Sequence, residues 1–305
     1  MPQRAARQRS DAAGRPAPAG GLRNLLLRYN ALVDALLNAF AVLLPLLYLV
    51  VALDYGFLFF TAHPSSRRIA APTLRVALVV HAGYIVTLVA RYGQLPAVNV
   101  SQALSVVAFA VAIVYSIVEW HGRESSTGFW LIALVFVFQL LSSLLQRPPE
   151  NRALFHDPLF ATHVALALLG YAAFAVAAAY GFLFLVLYRE LKGSRFSIFY
   201  GKLPPLEVLE RMLVGALGVG VAALTGAVVA GAFWAQRLYH GEWLHDPKIL
   251  ATIVTWAIYV AALVLRRLRR WQGLQTAIAS LAGLVAILFS LFAVNLLFTH
   301  FHDFQ

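Results

Sequence analysis

The stretch that decides the fold class is LFATHVALALLGYAAFAVAAAYGFLFLVLY, residues 159–188, which contains no Asp, Glu, Lys or Arg. A helix that spans a bilayer needs roughly 20 mostly apolar residues. Because lipid offers no partner to an exposed backbone group, such a run is expected to be helical. Further runs of this kind lie near residues 36–60, 72–91, 98–119, 128–146, 212–236, 249–266 and 275–300. We therefore predict an all-α polytopic membrane protein, a bundle of about eight transmembrane helices.

The composition agrees with lipid as the main solvent. Apolar residues make up 61% of the chain, only 12% of the residues are charged, and the mean hydropathy is +0.76. Soluble domains usually have about 25% charged residues. We expect residues 1–35 to form a disordered basic tail and interfacial lead-in, and residues 36–305 to form the eight-helix domain. Since no soluble domain is inserted, any chemistry must occur at the membrane surface or inside the bundle.

The net charge of +11 does not indicate nucleic-acid binding, because the cations lie between apolar runs and form no basic patch or basic helix. Loops on one predicted face carry thirteen cations, whereas those on the other carry five. The positive-inside rule makes the thirteen-cation face cytoplasmic, although six arginines before the first run argue the other way. We thus predict a multi-pass protein of a bacterial-type cytoplasmic membrane. The chain has no cysteine, which excludes thiolate metal ligands and a covalent haem-attachment site of its own.

A second stretch, GAFWAQRLYHGEWLHDPKIL, residues 231–250, lies between two apolar runs on the predicted outer face. Haem needs axial ligands, commonly His, and its flat ring needs an apolar surface. Trp234 and Trp243 have the required aromatic surface, while His163 and His302 lie at the ends of two runs on the same face. The alternative is that these are interfacial tryptophans and solvated loop histidines, since Trp is common at membrane boundaries.

This stretch resembles the tryptophan-rich WWD loop of cytochrome c assembly proteins, the CcsA, ResC and HemX-like family. The matching positions are Gly231, Ala232, Trp234, Ala235, Trp243, Asp246, Pro247 and Lys248. Downstream, TWAIYVAALVLRR resembles the family at Trp256 and Tyr259, and NLLFTHFHDF, residues 295–304, resembles its closing segment. The similarity covers roughly residues 75–305. His245 replaces the last tryptophan of the motif, and the large insertion of full-length synthases is absent, so the chain looks closer to the short HemX-like branch.

The resemblance implies a site for non-covalent haem b with His163 and His302 as axial ligands to the iron. It implies that the loop from Trp234 to Asp246 forms the haem platform. His245 is a third ligand, a propionate partner or an ordinary loop residue. Lys248 is a candidate partner for a haem propionate, because cations form charge-assisted hydrogen bonds with carboxylates.

His81 lies in the middle of the second apolar run. Ionisable residues inside a membrane are rare and commonly functional, and the family has intramembrane histidines connected with haem entry. The resemblance therefore makes His81 a candidate haem-contacting residue. The alternative is a neutral imidazole hydrogen-bonded to Tyr84 or to a backbone carbonyl.

The expected function is haem binding or delivery in cytochrome c biogenesis, at most as a component of a haem lyase. Expected partners are the bilayer, haem, apocytochrome c, and ResB-like and thioredoxin-like maturation proteins. One alternative is a HemX-like membrane regulator or partner of haem-synthesis enzymes. The other is a solute transporter, which would need buried acids or broken helices near the midplane, where the runs offer little besides His81.

Small residues recur in the sixth run, with Ala222, Gly226 and Ala230 spaced four apart. Such spacing lets a neighbouring helix approach closely. We predict a helix contact along this stripe and assign it no chemistry.

Overall fold

The computed structural model describes residues 19–61, 63–93, 99–122, 125–146, 157–194, 199–239, 247–269 and 273–289. Within these residues every regular element is an α-helix, which confirms the all-α fold class. The helices are α1 (Ala19–Thr61), α2 (Pro64–Tyr92), α3 (Val100–Gly122), α4 (Gly128–Leu144), α5 (Pro158–Lys192), α6 (Leu206–Tyr239), α7 (Pro247–Arg269) and α8 (Gly273–Phe289).

Six of these helices, α1, α2, α3, α5, α6 and α7, are long and apolar enough to cross a membrane. The remaining two, α4 and α8, are apolar and have 17 residues each. At about 1.5 Å per residue these two are about 26 Å long, slightly less than the hydrocarbon core of a typical bilayer. The chain is therefore a multi-pass membrane protein, and each predicted apolar run overlaps one helix within the residues that the structure describes.

Helix α1 begins at Ala19, well before the predicted start of the first span, and has 43 residues. The lead-in is thus helical and continuous with the span, a rod of about 65 Å. Its first turns project from the bundle, because Leu25, Leu26 and Leu27 are all more than half exposed. The first side chain of α1 to be buried in the described part is Val33.

The helices pack as two neighbouring groups that share one core. Helix α1 contacts α2 and α4, and α3 contacts α2, α4 and α5. The most extensive contact among the described helices joins α5 and α6, and α8 packs on α5 and α7. Helices α1 to α4 therefore form a four-helix group, and α5 to α8 form the other.

Glycines allow the close approach of α5 and α6. A Cβ placed on Gly170 of α5 would lie 3.3 Å from the carbonyl oxygen of Gly220 on α6, and Gly220 in turn packs against the ring of Phe174. The predicted stripe was only partly correct, because Ala222 is exposed. The contact face instead passes through Gly220 and Ala227, the latter fully buried.

Three polar contacts define the two ends of the bundle. Arg91, near the end of α2, pairs with Asp34 in the early part of α1. Lys202, just before α6, donates a hydrogen bond to the carbonyl oxygen of Phe59 at the end of α1, over 2.8 Å. Arg266 near the end of α7 pairs with Glu210 near the start of α6. The early part of α1 and the C-terminal parts of α2 and α6 therefore lie on one side of the bundle, which we call the His163 end. The opposite side is called the Lys202 end.

Candidate functional site

The position of His163 depends on how α5 begins. The Asp157 side chain caps the helix, with Oδ1 accepting hydrogen bonds from the backbone N–H groups of Leu159 and Phe160 over 2.7 and 3.3 Å. Asp is a favoured N-cap residue, and Pro158 at the first helical position suits the helix start because its missing N–H has no intrahelical partner there. His163 consequently lies in the second turn of α5.

The His163 ring is half-buried and is oriented by a backbone group of α6. Its Nδ1 lies 2.7 Å from the carbonyl oxygen of Ala227. A carbonyl oxygen can only accept, so Nδ1 carries the proton and donates. In the neutral ring the lone pair is then on Nε2. Histidines that bind metals usually have this arrangement, in which one ring nitrogen donates to a carbonyl or carboxylate and the other ligates the metal.

Gly231 provides the space in which the imidazole lies. A Cβ at this position would be 2.6 Å from Nδ1 and 2.8 Å from Cε1 of His163. Any residue with a side chain would therefore displace the ring from Ala227. Gly231 is also the first residue of the motif stretch, which gives that glycine a physical reason in this fold.

Trp234 lies on α6, one turn beyond Gly231, and faces the same region. Its ring centroid is 4.8 Å from that of Phe160, with the planes inclined at 46°. The Phe160 ring is in turn 6.3 Å from the His163 ring. His163, Phe160 and Trp234 thus form one half-buried aromatic group at the His163 end. Sequence reasoning named His163 and Trp234 and missed Phe160, although its place one turn before His163 in a capped helix put it on the same side.

The remaining predicted loop and tail residues are only partly covered by the structure. Trp243, His245, Asp246 and His302 lie outside the described residues. Lys248 is the second residue of α7. Their roles stay as predicted from the sequence.

His81 lies in the other helix group and belongs to a buried chain of hydrogen bonds. The Ser105 hydroxyl donates to Oε1 of Gln139 over 2.9 Å, so it accepts from Nε2–H of His81, also over 2.9 Å. Nδ1 of His81 then accepts from the Tyr48 hydroxyl over 3.0 Å. The four side chains come from α2, α1, α3 and α4, and all are buried.

The alternative interpretation of His81, an imidazole hydrogen-bonded inside the bundle, named other partners than the structure shows. Tyr84 makes only a ring contact with it, with centroids 6.1 Å apart, and the hydrogen bonds go to Tyr48 and Ser105. Both ring nitrogens are therefore used inside the four-helix group. The structure does not bring His81 together with His163 and Trp234.

Comparison with known proteins identifies the family to which this chain belongs. Residues 73–302, about three quarters of the chain, match the family model described as Cytochrome C assembly protein. The chain belongs to the cytochrome c assembly protein family. The helices described above, from α2 to α8, fall within or overlap the matched region.

The similar proteins include some named YpjD and others named CcsA. The chain is 28% identical to "Inner membrane protein YpjD" of Escherichia coli (strain K12) over 235 residues, 74% of this chain and 85% of that protein. It is 28% identical to "Cytochrome c biogenesis protein CcsA" of Synechococcus sp. (strain CC9605) over 240 residues, 70% of this chain and 78% of that one. For CcsA of Chlamydomonas reinhardtii the identity is 27%, and the match spans 55% of this chain but only 46% of the algal protein.

Proposed function

We propose that this chain binds haem b non-covalently at its His163 end and delivers or presents it during cytochrome c biogenesis. Family membership and the names of the CcsA relatives support the process. The observation that carries the haem site is the hydrogen bond from Nδ1 of His163 to Ala227, which puts the lone pair on Nε2. Haem iron in proteins is commonly ligated by a histidine nitrogen of this kind.

The residues around His163 fit a flat apolar group. Phe160 and Trp234 present aromatic rings beside it, and the glycine at position 231 keeps the imidazole against α6. We propose His302 as the second axial ligand, by resemblance to the family. The loop residues Trp243, His245 and Asp246 would complete the platform, with Lys248 as a partner for a propionate.

We do not include His81 in the ligand pair. Ligation of iron by either of its nitrogens would break a hydrogen bond in the buried chain and leave Tyr48 or Ser105 without its partner. A buried polar group that loses its partner costs about 1–3 kcal/mol. The proposed role of His81 is to join the four helices of its group.

Covalent attachment of haem to a cytochrome requires thiols, which this chain lacks. An apocytochrome c with its own cysteine pair, together with ResB-like and thioredoxin-like proteins, would complete the reaction. We propose that the chain acts as one component of such a system in a bacterial-type cytoplasmic membrane, with the His163 end outside. The name of the Escherichia coli relative, an inner membrane protein, supports a location in such a membrane.

The test is an absorption spectrum of the detergent-purified chain, oxidised and reduced, with and without added haem. We expect a low-spin bis-histidine spectrum that is lost in His163→Ala and in His302→Ala. His63→Ala is the matched control, because His63 is exposed just after α1, at the Lys202 end. A wild-type protein that takes up no haem, or a His163→Ala variant with an unchanged spectrum, would refute the proposal.

The regulatory alternative stays a second candidate function. A HemX-like partner of haem-synthesis enzymes would use the basic segments at the Lys202 end. If wild type binds no haem, co-purification of a haem-synthesis enzyme with the full chain would favour that function instead.

A further inference from the structure

A second candidate site lies at the His163 end of the four-helix group, away from the aromatic group on α5 and α6. It is a cavity of about 520 Å³ to which α1, α2, α3 and α4, or residues just after them, all contribute walls. Its volume falls within the roughly 300–1,000 Å³ typical of small-molecule sites. No residue assigned above to the haem site lines it.

The cavity is closed toward the middle of the bundle. Tyr84 lines it and packs against the rings of Phe40 and His81, with centroids 5.8 and 6.1 Å away. Beyond Tyr84 lies the hydrogen-bonded chain from Tyr48 to Gln139, whose side chains are all buried. Among the described residues the cavity is therefore closed on the side that faces the middle of the bundle, and it is not part of a passage through the described helices.

One wall carries a bound pair of opposite charges. Nε of Arg91 donates to Oδ1 of Asp34 over 2.9 Å, and Nη2 donates to Oδ2 over 3.3 Å. Both side chains line the cavity and keep part of their surface accessible, 26% for Arg91 and 47% for Asp34. Polar residues Asn38, Ser101, Gln102 and Gln146 also line the cavity, and Leu88 is among its apolar lining residues.

This charge arrangement selects for a ligand that carries both signs. A simple anion attracted to Arg91 would be repelled by Asp34 a few ångströms away, and a simple cation would meet the reverse. A zwitterion can place an ammonium against the carboxylate and an anionic oxygen against the guanidinium, and charge-assisted hydrogen bonds of both kinds are stronger than neutral ones. The amide of Gln146 suits an uncharged oxygen of such a molecule.

The depth of the cavity indicates where the zwitterion comes from. The apolar span of α2 ends at Tyr92, directly beside the cavity, so the charged pair lies where bilayer headgroups begin. Leu36 and Leu43 of α1 are 45% and 47% exposed on the nearby helix surface and could contact acyl chains.

We propose that the cavity binds the headgroup of a phosphatidylethanolamine-type lipid, with its ammonium on Asp34 and its phosphate on Arg91. The proposed lipid site does not involve haem, so an experiment can refute it without refuting the proposed function. It gives this chain a lipid-binding site at the same end of the bundle as His163.

The experiment uses the full chain in detergent and short-chain lipids that stay monomeric. Dihexanoyl phosphatidylethanolamine is titrated by calorimetry, beside dihexanoyl phosphatidylglycerol and chain-free glycerophosphoethanolamine. Because the site offers a charge-assisted contact to each group, we expect the ethanolamine lipid to bind at least roughly tenfold more tightly than the glycerol lipid. Weaker binding of the chain-free compound by a similar factor supports a lipid as the source.

Two variants test whether the lipid binds in this cavity. Asp34→Asn should abolish the preference for the ethanolamine lipid, whereas Glu210→Gln, which disrupts the ion pair with Arg266 at the Lys202 end, should leave it intact. Equal affinity for both lipids in wild type, or a preference that persists in Asp34→Asn, would overturn the proposal. If the chain-free compound binds as tightly as the ethanolamine lipid, the proposal that the ligand is a lipid is wrong. If Asp34→Asn does not fold, the three wild-type titrations still decide.

Discussion

Replacing Gly231 by alanine tests whether the contact between α5 and α6 sets the geometry of the haem ligand. The new methyl group would lie 2.6 Å from Nδ1 and 2.8 Å from Cε1 of His163. Real Cβ atoms essentially never come this close, so the imidazole must move. Movement away from α6 breaks its 2.7 Å hydrogen bond to the carbonyl oxygen of Ala227.

The magnitude can be worked out from three effects. Loss of the hydrogen bond costs about 0.5–1.5 kcal/mol of stability, and forcing a methyl group into a packed contact costs about 1–3 kcal/mol. Alanine is favoured over glycine inside a helix by about 0.8–1.0 kcal/mol. The net loss of stability is therefore modest, on the order of 1–3 kcal/mol, and the protein should still fold. Haem affinity should fall more clearly, roughly 10–100-fold, as it does when the partner that orients a metal-binding histidine is removed.

The assay is a haem titration followed by absorbance, with the thermal midpoint of each variant measured in parallel. Gly218→Ala is the matched control, because it lies on the same helix and a Cβ there meets nothing within 4 Å. We expect Gly218→Ala to bind haem like wild type. If Gly231→Ala binds haem as tightly as Gly218→Ala does, then the orientation of His163 by α6 does not govern the site, and the reasoning fails.

Three further substitutions test contacts that hold the helices in place. Tyr48→Phe leaves Nδ1 of His81 buried without its donor and should lower the free energy of unfolding by about 1–3 kcal/mol, measured by denaturant titration in detergent. Asp157→Ala removes the cap of α5 and should cost about 0.5–2 kcal/mol, with weaker haem binding; unchanged haem affinity would show that the cap does not matter to the site. Gly283→Ala places a methyl group in the ring of the buried Tyr259 and should cost about 1–3 kcal/mol, seen as a lower melting temperature.

The fold class was predictable because lipid leaves few choices. A run without charges that is long enough to span a bilayer must satisfy its backbone internally, so its helical state follows from composition alone. Helix α5 shows this most clearly, since the predicted run 159–188 lies wholly inside Pro158–Lys192. The start of α1 was less predictable, because residues 19–35 contain leucines and arginines in a mixture that suits a lead-in or a projecting helix equally.

The packing inside the membrane was harder to predict. In the sixth run, small residues occur on several sides of the helix, so a spacing of four through Gly226 competes with the face through Gly220 and Ala227. Sequence spacing cannot choose between them, because lipid and a neighbouring helix are similarly apolar. The structure shows that the large ring of Phe174 lies against Gly220, and this partner comes from a different helix far along the chain.

The residues of the candidate site that match the family's motifs were predictable from the sequence. His163 lies near the start of α5 and Trp234 near the end of α6, so antiparallel packing of these consecutive helices brings them to the same end. The acceptor for His163 could not be predicted, because it is a backbone carbonyl and any residue at position 227 would provide one. The hydrogen-bond chain of His81 joins positions 48, 105 and 139, and contacts between such distant positions leave no mark in a single sequence.

Two histidines lie in apolar spans of the described structure, His163 near the start of α5 and His81 within α2, and their hydrogen-bond partners differ. Binding iron through Nε2 of His163 preserves the bond from Nδ1 to Ala227, because the carbonyl and the metal need opposite nitrogens. Binding iron through either nitrogen of His81 removes a bond from a chain that joins four helices, at about 1–3 kcal/mol for each buried group left without its partner. The difference supports the proposal that haem binds at the His163 end, and in that proposal the helix pair α5 and α6, not the four-helix group, positions the ligand.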